Sequence, residues 1–242
     1  MNFTIDIGNT RTKTGVFDGE HLIDFRVWEA PSAEDFLAYL QKKEIRSIAW
    51  LASGRVQKEW VAALESRYPC TQLTASTALP FKNLYQTPQT LGKDRLAAVA
   101  GSWVSFPQIN CLIVNAGTCV TYDFLDGNGN YHGGSITPGL RMRFRALHEQ
   151  TAQLPLVETA ELNNLLVGFD TTTAIRTGVQ IGAIVEMDGF IAAYEQRFGK
   201  NKVLITGGDA PFYVSQINEK NIFFDPHLVL KGLNFLINFN EK

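Results

Sequence analysis

Two short stretches of this chain follow one plan, and that repetition narrows the possible folds more than any other feature of the sequence. Residues 3–7 form an apolar run that ends in Asp6-Ile7-Gly8-Asn9-Thr10, and a mixed run over 12–17 returns from it. Residues 111–114 form a second apolar run that ends in Asn115-Ala116-Gly117-Thr118, and 120–124 return with the acid Asp123. A strand, a Gly-Thr turn and a second strand, stated twice, predict two related α/β halves. Glycine at such a turn lets the backbone approach a phosphate, while Asn9, Thr10 and exposed amides donate hydrogen bonds to it. Asp6, at the strand end, is placed to hold magnesium directly or through water, and Arg11 and Lys13 add positive charge nearby. Each turn alone reads equally as a polar hairpin, since Asp, Gly and Asn are common turn residues. The second copy is what favours a two-lobed phosphate clamp.

The remaining text fits that plan. Residues 21–27 alternate as a third strand after the turn Asp18-Gly19, and Pro31-Ser32 opens a helix with Phe36, Leu37 and Leu40 on one face. A buried strand over 45–52, a helix over 56–67, a short strand over 71–74 and a loop over 77–90 broken by Pro80 and Pro88 follow, then a helix over 93–104. In the second half the turn Asp126-Gly127-Asn128-Gly129 precedes another extended stretch. A basic helix over 140–151, a long helix over 172–198, a strand over 203–206 and a final helix over 228–239 complete the chain. Gly178, Gly182 and Gly189 interrupt the long helix at about 1 kcal/mol each, which close packing would justify. The boundary between halves falls near Pro107, giving lobes over 1–107 and 108–242.

Composition excludes several classes. With 22 basic and 24 acidic residues spread along 242, the net charge is −2, and neither nucleic acid nor a membrane surface is an expected partner. No apolar stretch reaches the length of a membrane span, and the N-terminus has no basic leader. Cys70, Cys111 and Cys119 cannot all pair and read as reduced thiols in a cytoplasmic protein; the four histidines have no metal-ligand spacing.

Two further segments carry chemistry. Gly207-Gly208-Asp209 follows the strand at 203–206, where a glycine pair lets a flat ring lie against the backbone. Thr87-Pro88-Gln89-Thr90-Leu91-Gly92-Lys93-Asp94-Arg95 brings a carboxylate and a guanidinium together at a helix start. Asp94 could accept a proton from a substrate hydroxyl, and Arg95 could grip a carboxylate bidentately. The plainer reading is a first-turn Asp that favours the helix dipole beside a surface Arg. No Gly-rich loop with Lys-Ser or Lys-Thr is present, which argues against a Walker-type kinase.

In this order the pieces resemble the phosphate-1, phosphate-2 and adenosine segments of the actin, sugar-kinase and chaperone-ATPase superfamily. Joined to Leu91-Gly92-Lys93-Asp94-Arg95, to Gly133-Gly134-Ser135-Ile136-Thr137-Pro138-Gly139, to Gly168-Phe169-Asp170-Thr171 and to Thr206-Gly207-Gly208-Asp209, they look like a type III pantothenate kinase over nearly the whole chain. The resemblance implies two ribonuclease H-like (actin-like ATPase) lobes, each a mixed five-stranded sheet with flanking helices, with ATP in the cleft, and phosphorylation of pantothenate as the opening step of coenzyme A synthesis. It implies that Asp6, Ile7, Gly8, Asn9, Thr10, Arg11, Thr12 and Lys13 bind ATP, with Asp6 organising Mg2+ and Thr118, Gly207 and Gly208 meeting the nucleotide from the other lobe. Tyr85, Gly92, Lys93, Asp94 and Arg95 would contact pantothenate, with Asp94 as the base. Thr171 would complete the pocket of a partner subunit in a homodimer. From bare sequence Tyr85 is a loop aromatic and Thr171 part of a helix cap. Asn115 stands where the family carries an Asp that helps bind K+ or NH4+, so weaker dependence on such a cation is expected; Asp170 replaces the familiar Asn. The rival readings are a kinase for another small hydroxylated substrate on the same scaffold and a non-catalytic nucleotide-binding regulator.

Overall fold

The computed structural model describes residues 1–54, 56, 58–161, 166–217 and 221–241. By compactness these fall into two units. The first takes in Met1–Gln108, Leu125–Gly133 and His227–Lys242, and the second Ile109–Phe124 and Gly134–Pro226.

In the first unit β1 (Asn2–Ile7) pairs along its whole length with two neighbours. One is β2 (Thr12–Asp18), antiparallel; β3 (His21–Trp28) pairs antiparallel with β2 beyond it, with a register shift at Val16/Phe17. After α1 (Ala33–Leu40), β4 (Ser47–Ala52) lies parallel to β1 on its other edge, and after α2 (Lys58–Glu65), β5 (Cys70–Gln72) lies parallel to β4. The sheet order is β3-β2-β1-β4-β5. Residue 57, inside the helix expected over 56–67, lies outside the described residues. β1 is buried on both faces although its residues alternate: Phe3, Ile5 and Ile7 take one face and the polar Asn2, Thr4 and Asp6 the other. α1 starts where Ser32 accepts from the Asp35 amide and Asp35 accepts in return from the Ser32 amide, a reciprocal cap. Its buried residues Phe36 and Leu40 join Phe3, Trp50, Trp60 and Leu64 in the core. The loop expected over 77–90 contains a two-residue strand, β6 (Lys82–Asn83), which precedes α3 (Lys93–Ser105).

The second unit repeats the order. β7 (Cys111–Ala116), β8 (Cys119–Leu125) and β9 (Asn130–Pro138) are successive neighbours. After α4 (Leu140–Glu149) and α5 (Thr171–Phe198), β10 (Lys202–Thr206) lies parallel to β7 on the other edge. α6 (Ala210–Val214) then leads to β11 (Ile222–Phe224), parallel to β10. Counted within each unit, both sheets run third, second, first, fourth, fifth strand. The first residues of β9 also pair in parallel with β6, so the second sheet gains a sixth, very short strand beyond the five expected. α5 begins with Asp170 capping the Thr173 amide at 2.8 Å, which gives Asp170 a structural role. Among the described residues nothing lies within 4 Å of a Cβ built at Gly178, Gly182 or Gly189 beyond the helix's own backbone, so the close packing expected there is not seen. Cys70, Cys111 and Cys119 are all free; burial pushes the Cys111 thiol up to about 12 and Cys70 to about 11.

The C-terminal helix α7 (Leu228–Asn240) belongs with the first unit, packed on α3. A Cβ at Gly232 would meet Ala97 O at 1.8 Å, and one at Gly101 would meet Leu228 O at 2.5 Å; the two helices approach through their glycines. Asn2 Nδ2 donates to Asn234 Oδ1 and Asn238 Oδ1, both at 2.9 Å, while Asn234 Nδ2 donates to Gly19 O. These bonds tie the first strand to the last helix and satisfy side chains that burial would otherwise penalise. Gly232→Ala should force α7 off α3 and destabilise the chain by about 1–3 kcal/mol, the usual cost of overpacking. At this size that lowers Tm by about 2–10 °C, measurable by thermal unfolding; an unchanged Tm would show that the helices have room to spare.

Candidate active site

Because β1 and β4 are parallel neighbours, their C-terminal ends lie side by side, and at that edge the sheet presents two loops. The first is the turn after β1. Gly8 N donates to Arg11 O at 3.1 Å and closes it, leaving Asn9, Thr10 and Arg11 exposed. The second follows β4, where the amides of Ser53 and Gly54 both donate to Ile7 O at 3.0 Å. A Cβ at Gly54 would lie 2.3 Å from Gly8 O, so only glycine lets this loop brace the turn so closely. The sequence reading missed Ser53 and Gly54. Their signal was a Ser-Gly pair directly after a buried parallel strand, the end at which α/β sheets gather ligands.

Asp6 faces Lys13 across the β1–β2 ladder. Part of its surface meets solvent, yet its carboxyl is packed round with protein atoms. Burial pushes its pKa up from 3.8 to about 7; Lys13 opposes the rise and the charge of Asp94 adds to it. The structure therefore brings together the strand-end acid and the first-turn acid of α3, residues 88 apart in sequence. An ionised Asp6 beside a second carboxylate calls for a cation. Among the described residues no cluster of three or more His, Cys, Asp or Glu could hold a metal alone. One or two carboxylates completed by phosphate oxygens and water is the usual magnesium arrangement, and these residues fit it.

The loop before α3 is held by its own bonds. Thr90 N and Thr90 Oγ1 both donate to Thr87 O, and Lys93 Nζ donates to Leu91 O at 2.7 Å and Pro88 O at 3.4 Å. Burial draws the Lys93 ammonium below its ordinary value, and its two carbonyl partners tie it to the loop. Asp94 is half-buried, and a Cβ at the preceding Gly92 would come within 2.6 Å of its Oδ1. Arg95 is buried, with its guanidinium carbon 5.4 Å from the centre of the half-buried Tyr85 ring. Asp6, the turn at 8–11, Tyr85 and residues 92–95 thus all belong to the first unit.

The other predicted residues belong to the second. Asn115, one residue before the end of β7, lies opposite Thr206 of β10, and Thr118 is exposed in a turn closed by Gly117 N donating to Cys119 O at 2.9 Å. Gly207, at φ +101°, abuts this turn. A Cβ there would meet Ala116 O at 2.1 Å, and Asp209 N donates to that carbonyl at 3.0 Å. Gly139, the residue that caps α4, abuts it too, its amide donating to Thr118 O at 3.1 Å. Asn115, Thr118 and the Gly207-Gly208 pair are therefore neighbours. Thr171 is exposed at the first position of α5, in the surroundings of a capped helix start.

A sequence model described as type III pantothenate kinase matches residues 2–193. The chain belongs to the type III pantothenate kinase family. A type III pantothenate kinase of Bacteroides fragilis is 42% identical over 243 residues, covering 100% of this chain and 99% of its own. One from Flavobacterium johnsoniae is 38% identical over 236 residues, covering 97% of this chain and 96% of its own. Among solved structures, the ROK hexokinase from Thermus thermophilus aligns with a TM-score of 0.56 at 14% identity, covering 99% of each chain. The activator of 2-hydroxyisocaproyl-CoA dehydratase from Clostridium difficile aligns at 0.53 and 13%, covering 99% of this chain and 94% of its own. At those identities the likeness shows the fold alone, the two-lobed actin-like ATPase class, which the doubled strand order independently displays.

Asp6 supplies a pH test. Between about 4 and about 7 the folded Asp6 keeps a proton that the unfolded chain has released. Folding stability therefore falls as pH rises through that window and levels off above it. In magnesium- and nucleotide-free buffer, Asp6→Asn should gain stability relative to the native chain from pH 4 to pH 7. Urea unfolding of both proteins at several pH values measures this; a difference that does not vary with pH would show that the folded carboxyl titrates normally.

Proposed function

We infer that this chain transfers the γ-phosphoryl group of ATP to the terminal primary hydroxyl of pantothenate, giving 4'-phosphopantothenate, the first step of coenzyme A biosynthesis. The reading is carried by family membership over nearly the full length, together with the placing of Asp94 within electrostatic reach of Asp6. Phosphoryl transfer asks mainly for positioning and charge neutralisation, and this arrangement offers both. Asp6, Ile7, Gly8, Asn9, Thr10, Arg11, Thr12 and Lys13 bind the phosphates, with Asp6 holding Mg2+. The metal supplies neutralisation of phosphate charge. Thr118, Gly207 and Gly208 contact the nucleotide from the lobe over 108–242, and the acceptor loop belongs to the lobe over 1–107. Asp94 orients the acceptor hydroxyl and takes its proton as the oxygen bonds to the γ-phosphorus and the bond to the β–γ bridging oxygen breaks. Tyr85, Gly92, Lys93 and Arg95 hold pantothenate, Arg95 through its carboxylate. Thr171 completes the site of a second subunit, which makes the active species a homodimer. The setting is the cytoplasm, in keeping with the absence, among the described residues, of a helix long and apolar enough to cross a membrane.

The test is a coupled ADP-release assay with pantothenate, glucose, N-acetylglucosamine and acetate. Release with pantothenate alone is expected; release only with another acceptor, or with none, supports a kinase of different substrate or a non-catalytic regulator. In the same assay Asp94→Asn should lower turnover about 10²–10⁴-fold, the range of a positioned acid–base group, with smaller changes in substrate binding. Near-normal turnover would return Asp94 to a first-turn acid that favours the helix dipole.

Asn115 bears on the monovalent cation. It offers an oxygen ligand without the charge of an Asp, and hard cations depend on both. We expect the native chain to show weak activation by potassium or none, and Asn115→Asp to introduce it. Initial rates against potassium in sodium- and ammonium-free buffer decide this. Strong saturable activation of the native chain, with a half-point unmoved by Asn115→Asp, would refute the charge argument.

A further inference from the structure

Gly133, in the middle of β9, has no role in the site so far, and the structure gives it unusual surroundings. Its φ is +87°, and a Cβ built on it would lie 2.7 Å from Tyr85 Cδ2 and 3.1 Å from Cε2. The Tyr85 ring thus occupies space that any side chain at 133 would take. The backbone on both sides is fixed. Lys82 N donates to Gly129 O at 2.8 Å, Leu84 N to Tyr131 O at 2.9 Å, and Tyr85 N to Asn83 Oδ1 at 2.9 Å. The hairpin end is clasped by Asp126 Oδ1, which accepts from the amides of Asn128 and Asn130 at 2.9 Å each. Neither strand can slide to relieve a clash, so the ring itself would have to move. That ring is also what the buried Arg95 guanidinium lies against, 5.4 Å from its centre. A guanidinium resting on an aromatic ring loses rotational freedom and keeps its planar fork aimed one way.

We propose that Gly133 is a positioning residue for the acceptor side of the reaction: by leaving room for Tyr85 it seats the ring against Arg95 and fixes how the guanidinium meets the carboxylate of the acceptor. This rests on the pantothenate kinase reading and deepens it. The effect belongs to acceptor binding. The turn at 8–11 that serves the nucleotide is braced by residues 53 and 54 and does not involve β9.

Steady-state kinetics with pantothenate and ATP varied in turn test this on five proteins: the native chain, Gly133→Ala, Gly133→Asn, Tyr85→Ala and the Gly133→Ala/Tyr85→Ala double variant. Gly133→Ala should raise KM for pantothenate roughly ten-fold, the scale of a lost desolvated cation–π contact, and leave KM for ATP within about two-fold. Gly133→Asn separates clash from backbone strain, because Asn tolerates positive φ yet still carries a Cβ; it should raise the same KM. The double variant should be no worse than Tyr85→Ala alone, since the two residues act through one ring. An active native chain whose Gly133 variants keep the native KM for pantothenate overturns the proposal. So does a Gly133→Ala effect that adds in full to Tyr85→Ala. A native chain that releases no ADP with pantothenate overturns the underlying reading as well.

Discussion

β1 is hydrogen-bonded along its full length on both edges, antiparallel to β2 and parallel to β4, and the candidate site depends on that double pairing. The antiparallel partner places Lys13 opposite Asp6. The parallel partner carries Ser53 and Gly54 to the end of β1, where their amides share the Ile7 carbonyl. Neither arrangement follows from the turn Gly8-Asn9-Thr10-Arg11 alone, whose own closing bond runs from Gly8 N to Arg11 O. The second unit solves the same problem with β10 beside β7, where Gly207 takes the place against the β7–β8 turn that Gly54 takes against the first. In both units the central strand has a parallel neighbour, and in both a glycine beyond that neighbour's end comes closer to the turn than a Cβ would allow.

The electrostatics follow from this frame. A carboxyl at the end of a buried strand is poorly hydrated, and the opposing Lys13 only partly offsets that loss. The neighbouring charge of Asp94 pushes the same way as burial. Such a pair is a poor way to stabilise a fold and a suitable one for receiving a cation and polyphosphate, which supply the missing counter-charge and ligands. Two acids that disfavour one another's charge are thus better explained by what they bind than by what they hold together.

Much of this was legible in the sequence because it is local. The central strands β4 and β7 are buried, largely apolar runs, each Gly-Thr turn follows its strand directly, and Asp94-Arg95 sits at a helix start marked by Gly92. What escaped was short or distant. β6, α6 and β11 have between two and five residues, too few for periodicity to register. The expected packing of Gly178, Gly182 and Gly189 was not found among the described residues, whereas Gly101 and Gly232, which bring α3 and α7 together, gave no local signal. Tyr85 was placed by resemblance, but its seat on Gly133 joins residues 48 apart through the pairing of β6 with β9.

The sequence by itself determined the doubled strand–turn–strand plan, the chemistry available at each turn and the family, because these depend on residue type and short spacing. Tertiary structure alone decided that α7 closes the first unit against α3, that Gly54 and Gly207 brace their turns, and that Asp6 and Asp94 share one field. The physical reason is that burial and close approach belong to pairs of segments far apart in the chain. A glycine needed for contact looks in sequence like any other, and a carboxyl's pKa depends on what folds around it.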